Sequence, residues 1–267
     1  MAVPYPRSMF AHPDGMFGWA DTFTSDEDRA RDFYCGLFGW EAYDRTQDMG
    51  AHYTQFFLDG QLVAGMSPMP PEMSAEGLLP QWVSYVLVHD ADATCEAVRA
   101  AGGQVMLAPM DVTDQGRLAN IMDPSGGMLG IWQPYAHTGA DVFDEPCSLT
   151  WNELQTRDLT AALPFYEKVF GWIWTDGTTP GYKVAHLPDK PGEDQTNAGA
   201  EDMPRNVPEE IPAVWQVYFA VNDVPGTVDD ALSLGGKVFV KPYETATSVV
   251  AGVLDPNGAR FFVVSRP

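Results

Sequence analysis

Short runs of alternating apolar and polar residues recur along the chain, each followed by a stretch of helical spacing. Phe17–Thr22 reads as a strand, and Asp26–Phe38 as a helix with Phe33, Tyr34 and Phe38 on its apolar face. Ser25, with Asp28 three residues on, is the expected N-cap, and Gly39 the expected stop. Two or three strands then reach Pro68. A strand at Trp82–Val88 opens a second round: Asp90 caps a helix through Ala101, Gly102 and Gly103 end it, and strands follow at Val105–Ala108, Leu118–Met122 and Met128–Trp132. The order is βαβββ, twice.

The whole pattern then repeats. Trp19, Tyr34 and Trp40 have echoes in Trp151, Tyr166 and Trp172, each 132 positions later. Trp82-Val-Ser-Tyr matches Trp215-Gln-Val-Tyr at an offset of 133, and Asp123-Pro-Ser-Gly matches Asp255-Pro-Asn-Gly. An offset this constant over more than a hundred residues means two copies of one unit. The copies are placed at residues 16–134 and 147–266, joined by the polar stretch Pro134 to Pro146. The expected fold is therefore α+β, with four βαβββ modules. Two Pro-rich connections, Ser67–Gln81 and Pro188–Ala213, are long enough to be lids or plain connectors.

The βαβββ unit, the helix ending in Phe-Tyr-x-x-x-Phe-Gly-Trp and the Asp-Pro-x-Gly turn together resemble the vicinal oxygen chelate superfamily. That group includes glyoxalase I, extradiol dioxygenases, fosfomycin-modifying enzymes and bleomycin-binding proteins. More narrowly, the chain is similar to tandem-domain, glyoxalase-like proteins found near aromatic polyketide pathways. The resemblance implies that paired modules curl their sheets around one cavity per domain. It also implies metal ligands, His or Glu, on the first and last strand of each module. Here those positions fall on Trp19, Val83, Gly130 and the Ala64–Met66 region, and on Trp151, Gln216, Phe262 and the vicinity of Gly199. A divalent site needs three or four converging His, Cys or carboxylate ligands. The chain departs from that pattern, so no metal and no other cofactor are expected, and metal-dependent glyoxalase or dioxygenase chemistry is disfavoured. The five histidines, His12, His52, His89, His137 and His186, form no ligand pair and read as surface or capping residues.

Residues two apart on a strand share a face. If Trp19 faces the cavity, Asp21 does too, and Glu153 accompanies Trp151. On the paired modules Val83 carries Tyr85, and Gln216 carries Tyr218. The candidate ligand-binding set is thus Trp19, Asp21, Val83, Tyr85, Trp151, Glu153, Gln216 and Tyr218. Asp21 and Glu153 are either structural, bonded to the tyrosines, or general acid/base groups of raised pKa. Domain 2 is the favoured site, for the polar Gln216 and the longer Pro188–Ala213 connection.

Charge and cysteines narrow the partners. With 15 Lys+Arg against 37 Asp+Glu, the net charge of −22 argues against nucleic acid and anionic membrane surfaces. No apolar run is long enough to span a bilayer. The first residues lack a secretory apolar stretch, and Cys35, Cys95 and Cys147 suit a reducing cytoplasm better than disulfides. The expectation is a cytoplasmic protein that binds a small, mostly apolar, aromatic or polyketide-like molecule in a metal-free cavity. The alternative is a metal-free enzyme (hydroxylase-, lyase- or isomerase-type) of polyketide or aldehyde metabolism using a cavity carboxylate. A monomer with pseudo-dimeric domains, or a homodimer, is expected.

Overall fold

A computed structural model describes residues 12–70, 77–188, 196–205 and 207–265. Domain 1 runs β1 (Phe17–Thr24), α1 (Glu27–Phe38), β2 (Glu41–Asp44), the short α2 (Thr46–Met49), β3 (Thr54–Leu58) and β4 (Gln61–Pro68), then β5 (Gln81–Leu87), α3 (Ala91–Ala100), β6 (Gln104–Val112), β7 (Gly116–Met122) and β8 (Met128–Pro134). Domain 2 repeats the order with β9 (Leu149–Thr156), α4 (Leu159–Phe170), β10 (Ile173–Asp176), β11 (Lys183–His186) and β12 (Thr196–Asp202), then β13 (Val214–Ala220), α5 (Val224–Ser233), β14 (Lys237–Glu244), β15 (Val249–Leu254) and β16 (Arg260–Ser265). Among the described residues no helix is long and apolar enough to cross a membrane.

Among the described residues each domain is one eight-stranded sheet. The order in domain 1 is β2-β3-β4-β1-β5-β8-β7-β6, and domain 2 follows it strand for strand. The first strands of the two modules pair antiparallel at the centre, with Trp19 opposite Tyr85 and Asp21 opposite Val83. Each is flanked by a parallel neighbour, β4 beside β1 and β8 beside β5. The four central strands therefore join the βαβββ modules edge to edge in one continuous sheet, and both modules line one cavity.

Two expectations need correction. The N-cap of α1 is Asp26, whose carboxylate accepts from the Arg29 amide at 3.1 Å. Ser25 lies one residue outside. Asp90 and Asp158 cap α3 and α4 in the same way, at 2.9 Å. The connection Pro188–Ala213 is not one long loop. Its Thr196–Asp202 is β12, paired with β11 and parallel to β9. The strand was hidden because Asn-Ala-Gly-Ala is poor in β-branched residues. Small side chains suit it, since Ala198 and Ala200 are fully buried. The remaining lid candidates, 71–76 and 189–195, lie outside the described residues.

A smaller apolar cluster lies within each domain, and the two largest apolar cores are shared between the domains. One joins α1 residues Phe33 and Phe38 with Phe219 and Phe261 of domain 2. The other joins Val86, Ile121 and Ile131 of domain 1 with Phe165, Trp172 and Trp215 of domain 2. The Phe-Gly-Trp tryptophans close the joint. The Trp40 indole donates to the Cys147 carbonyl, and the Trp172 indole to the Gly15 carbonyl, both at 2.8 Å. Tight turns before these tryptophans need left-handed backbone, supplied by Gly39 (φ 69) and Gly171 (φ 71).

Candidate functional site

Alternation along β1 and β9 separates two duties. Ala20 and Leu154 face the cores, whereas Trp19, Asp21, Trp151 and Glu153 line the concave faces. In domain 1 the Tyr53 hydroxyl receives the Trp19 indole N–H at 3.2 Å and donates to Asp21 Oδ2 at 3.2 Å. Tyr85 donates to Asp21 Oδ1 at 3.1 Å. In domain 2 Trp151 donates to the Tyr182 hydroxyl at 2.9 Å. Tyr182 and Tyr218 donate to the two oxygens of Glu153, each at 2.8 Å. Both cavities thus hold a carboxyl gripped by two tyrosines, one of them braced by an indole.

A glycine makes the grip possible. Gly65 lies opposite Asp21 in the parallel register, and Gly199 opposite Glu153. A Cβ at either would collide with the Tyr53 or Tyr182 hydroxyl. The chelate positions are therefore filled with a compact hydrogen-bonded wall.

Burial pushes the Asp21 carboxyl up to about 7 against the opposing pull of the Tyr85 and Tyr53 hydrogen bonds. Glu153 is raised to about 7 by burial and by the neighbouring Glu201, against its bonds from Tyr182, Tyr218 and Gln155. Glu201 is raised as well, chiefly by burial, and shares the Gln155 amide with Glu153. Asp21 and Glu153 can thus hold or release a proton near neutrality.

The cavities differ. That of domain 1 is about 180 Å³ and largely apolar, walled by Trp19, Phe23, Tyr53, Leu118 and Trp132. That of domain 2 is about 390 Å³ and more polar, with Glu201, Tyr243 and the Thr245–Ser248 turn added to its rim.

Six of the eight candidate residues line the cavities: Trp19, Asp21, Tyr85, Trp151, Glu153 and Tyr218. Val83 and Gln216 are buried on the same strands but are not among the lining residues. Gln216 turns its amide toward Gln155 Oε1 at 3.5 Å. Sequence reasoning missed Tyr53 and Tyr182, which are 129 apart, not 132, because the β2–β3 and β10–β11 connections differ in length. It also placed His137 among surface or capping residues. His137 is 6% exposed, sets its ring edge-on to Trp19 at 4.5 Å, and lines the domain 1 cavity.

The side chains at the chelate positions do not fit a divalent metal. They offer indole, valine, glycine, phenylalanine and a single neutral amide, Gln216, and Phe262 stacks on Tyr218 at 4.7 Å. Among the described residues no three His, Cys, Asp or Glu come together as a ligand set. The carboxyl nearest the position is occupied by its tyrosines.

A family model described as Glyoxalase/Bleomycin resistance protein/Dioxygenase superfamily matches residues 17–131 and again 148–263. "Putative glyoxylase CFP32" of Mycobacterium tuberculosis is 37% identical over 255 residues, covering 94% of each chain. "Anthracycline biosynthesis protein DnrV" of Streptomyces peucetius is 36% identical over 262 residues, covering 94% of this chain and 93% of its own. Among solved structures, a Mn(II)-bound glyoxalase from Novosphingobium aromaticivorans superposes with a TM-score of 0.64 at 14% identity, covering 94% of this chain and 82% of its own. The 2,3-dioxygenase LapB of Pseudomonas sp. KL28 gives 0.63 at 13%, covering 95% and 94%. At such identities these structures speak for the fold alone. With both halves matched and relatives of this similarity along almost its full length, the chain belongs to the Glyoxalase/Bleomycin resistance protein/Dioxygenase superfamily, as a tandem two-domain member.

Proposed function

We propose that the protein binds small, flat, mostly apolar molecules of aromatic or polyketide type in its cavities, without a metal ion. One observation carries this reading: in both domains an indole stands at the first chelate position, its N–H committed to a tyrosine that in turn holds the buried carboxyl. Such a wall offers stacking surface and a few fixed polar groups, the usual make-up of a small-molecule site. The relative named for anthracycline biosynthesis supports a polycyclic aromatic ligand.

A second reading keeps the same ligand class and adds turnover. A carboxyl with a pKa of about 7 is half protonated at neutral pH, the condition under which a general acid/base works best. Glu153 in domain 2, or Asp21 in domain 1, would take or give a proton at a carbon next to a ligand carbonyl, with the tyrosine hydroxyls fixing its orientation.

Fluorescence titration with polycyclic aromatic ketones tests the first reading. Trp151→Ala weakens binding at least about tenfold, since stacking and lost buried area together exceed the 1.4 kcal/mol of one decade. Binding indifferent to both Trp19 and Trp151 refutes it. Glu153→Gln separates the readings: it preserves affinity in a binder and abolishes product formation, followed by mass spectrometry, in an enzyme. Elemental analysis of protein purified without chelators checks the metal. One tightly held transition metal per cavity overturns the metal-free reading.

A further inference from the structure

One rung of the sheet separates the two otherwise matched cavity walls. In domain 1, Phe23 of β1 pairs with Ser67 of β4, two residues beyond Asp21 and Gly65. In domain 2 the same rung holds Gln155 and Glu201, two residues beyond Glu153 and Gly199. A step of two keeps each pair on the face of its carboxyl. An apolar ring and a hydroxyl in one half are thus an amide and a second carboxyl in the other. Phe23 and Ser67 line the smaller cavity, and Glu201 lines the larger one beside Trp151, Glu153 and Tyr243.

The Gln155 amide spans the two acids, donating to Glu153 Oε1 at 3.3 Å and to Glu201 Oε1 at 2.9 Å. Glu153 is further engaged by Tyr182 and Tyr218. Glu201 Oε2 accepts no hydrogen bond among the described residues, and in this half-buried side chain it keeps surface that a ligand can reach. No lysine, arginine or histidine lines the cavity among the described residues. The charges acting on the two acids are those of other carboxyls, Glu201 on Glu153 and Asp202 on Glu201. Tyr182, Tyr218 and Tyr243, the other titratable groups of the wall, bring no positive charge. Burial and repulsion therefore both oppose ionisation of the pair, and a cation placed beside Glu201 relieves both.

We propose that the domain 2 cavity takes an arylalkyl ammonium ion, its charged nitrogen donating to Glu201 Oε2 and its rings lying along Trp151. This rests on the aromatic-ligand reading above and narrows it for this domain. The cavity is large enough: about 390 Å³ is more than twice the about 150 Å³ that admits benzene. The chemistry sets the charge, because a hydrogen bond between ionised partners is about twice as strong as a neutral one. Domain 1 does not share the preference. Ser67 stands where Glu201 would be, and both Asp21 oxygens already accept from tyrosines. The two sites therefore differ in what they select, not only in how much they hold.

The test compares 1-naphthylmethylamine, an ammonium ion at neutral pH, with 1-naphthylmethanol, which keeps the rings and a hydroxyl donor but no charge. Calorimetry on the full chain is run in physiological salt, where long-range attraction to a chain of charge −22 is screened. The expected result is about tenfold tighter binding of the amine, lost in Trp151→Ala and kept in Trp19→Ala. Glu201→Gln brings the ratio of the two compounds below about threefold, while binding of the alcohol persists and reports an intact fold. If both compounds bind equally in a Trp151-dependent way, or the preference survives Glu201→Gln, the inference fails while the aromatic-ligand reading stands. If neither shows Trp151-dependent binding, both fail for this domain.

Discussion

The Tyr34 hydroxyl of domain 1 donates to Asp255 Oδ2 of domain 2 at 3.0 Å, and Tyr166 of domain 2 returns the bond to Asp123 of domain 1 at 2.6 Å. Two sequence motifs thereby explain each other. In the Asp-Pro-x-Gly turn, Asp255 Oδ1 accepts the amides of Asn257, Gly258 and Ala259, leaving Oδ2 for the tyrosine of the Phe-Tyr motif across the boundary. The same tyrosines accept indole N–H groups, Tyr34 from Trp82 and Tyr166 from Trp215.

Tyr34→Phe leaves a buried carboxylate oxygen and a buried indole each short of a partner. At about 1–3 kcal/mol for an unmet buried group, the expected loss is about 2–6 kcal/mol in denaturant unfolding, and Tyr166→Phe behaves alike. Asp255→Asn combined with Tyr34→Phe costs less than the sum of the two. A loss below about 0.5 kcal/mol for either tyrosine variant would sink this view of the joint.

Stability falls with rising pH on account of Asp21 and Glu153. Both hold a proton more tightly in the folded protein, with pKa about 7, than their ordinary 3.8 and 4.5. Between about pH 4 and 7 the folded state binds more protons than the unfolded one, so their contribution is complete below that window and lost above it. The variant Asp21→Asn/Glu153→Gln lacks this slope. Relative to wild type it gains on the order of a few kcal/mol from pH 5 to pH 8. Urea midpoints that run parallel with pH in the two proteins would contradict the prediction.

Gly199→Ala drives the Tyr182 hydroxyl off Glu153 and Trp151. The expected cost is about 1–3 kcal/mol, with the Glu153 pKa moving further up as a charge-favouring bond disappears. In a Tyr182→Ala background the same substitution costs at most half as much, because both the hydroxyl and the ring carbon that an added Cβ would meet are gone. Additive costs in thermal unfolding would show that the glycine acts in some other way.

Neither domain folds alone. Residues 1–140 and 141–267 each keep one half of both shared cores and expose it. Separately they are expected to bind a hydrophobic dye and unfold without cooperativity, and on mixing to recover a single cooperative transition. A cooperative transition in either isolated half is the contrary outcome.

The repeat made much of this visible in the residues alone. Constant spacing along β1 and β5 located Trp19, Asp21 and Tyr85 and their echoes, because strands pair in fixed register. What spacing does not carry was lost. Tyr53 and Tyr182 precede equivalent strands, but unequal turns break the 132-residue step. The position of His137 depends on bonds to Gln115 and Trp132, and a polar stretch between domains shows none of that. Ser25 and Asp26 are both good caps in adjacent positions, and only the backbone decides between them.

Cohesion between the halves resides on the outer faces of the two sheets and on the helices packed there. The concave faces are consequently exempt from most of it. Exchanging Trp19, Trp132 or Tyr243 reshapes a cavity without touching the joint, whereas exchanging Ala20, Phe219 or Phe261 cuts into the shared core. A single ancestral scaffold of this kind can acquire a new ligand by repainting one wall, and it can do so in one half without disturbing the other.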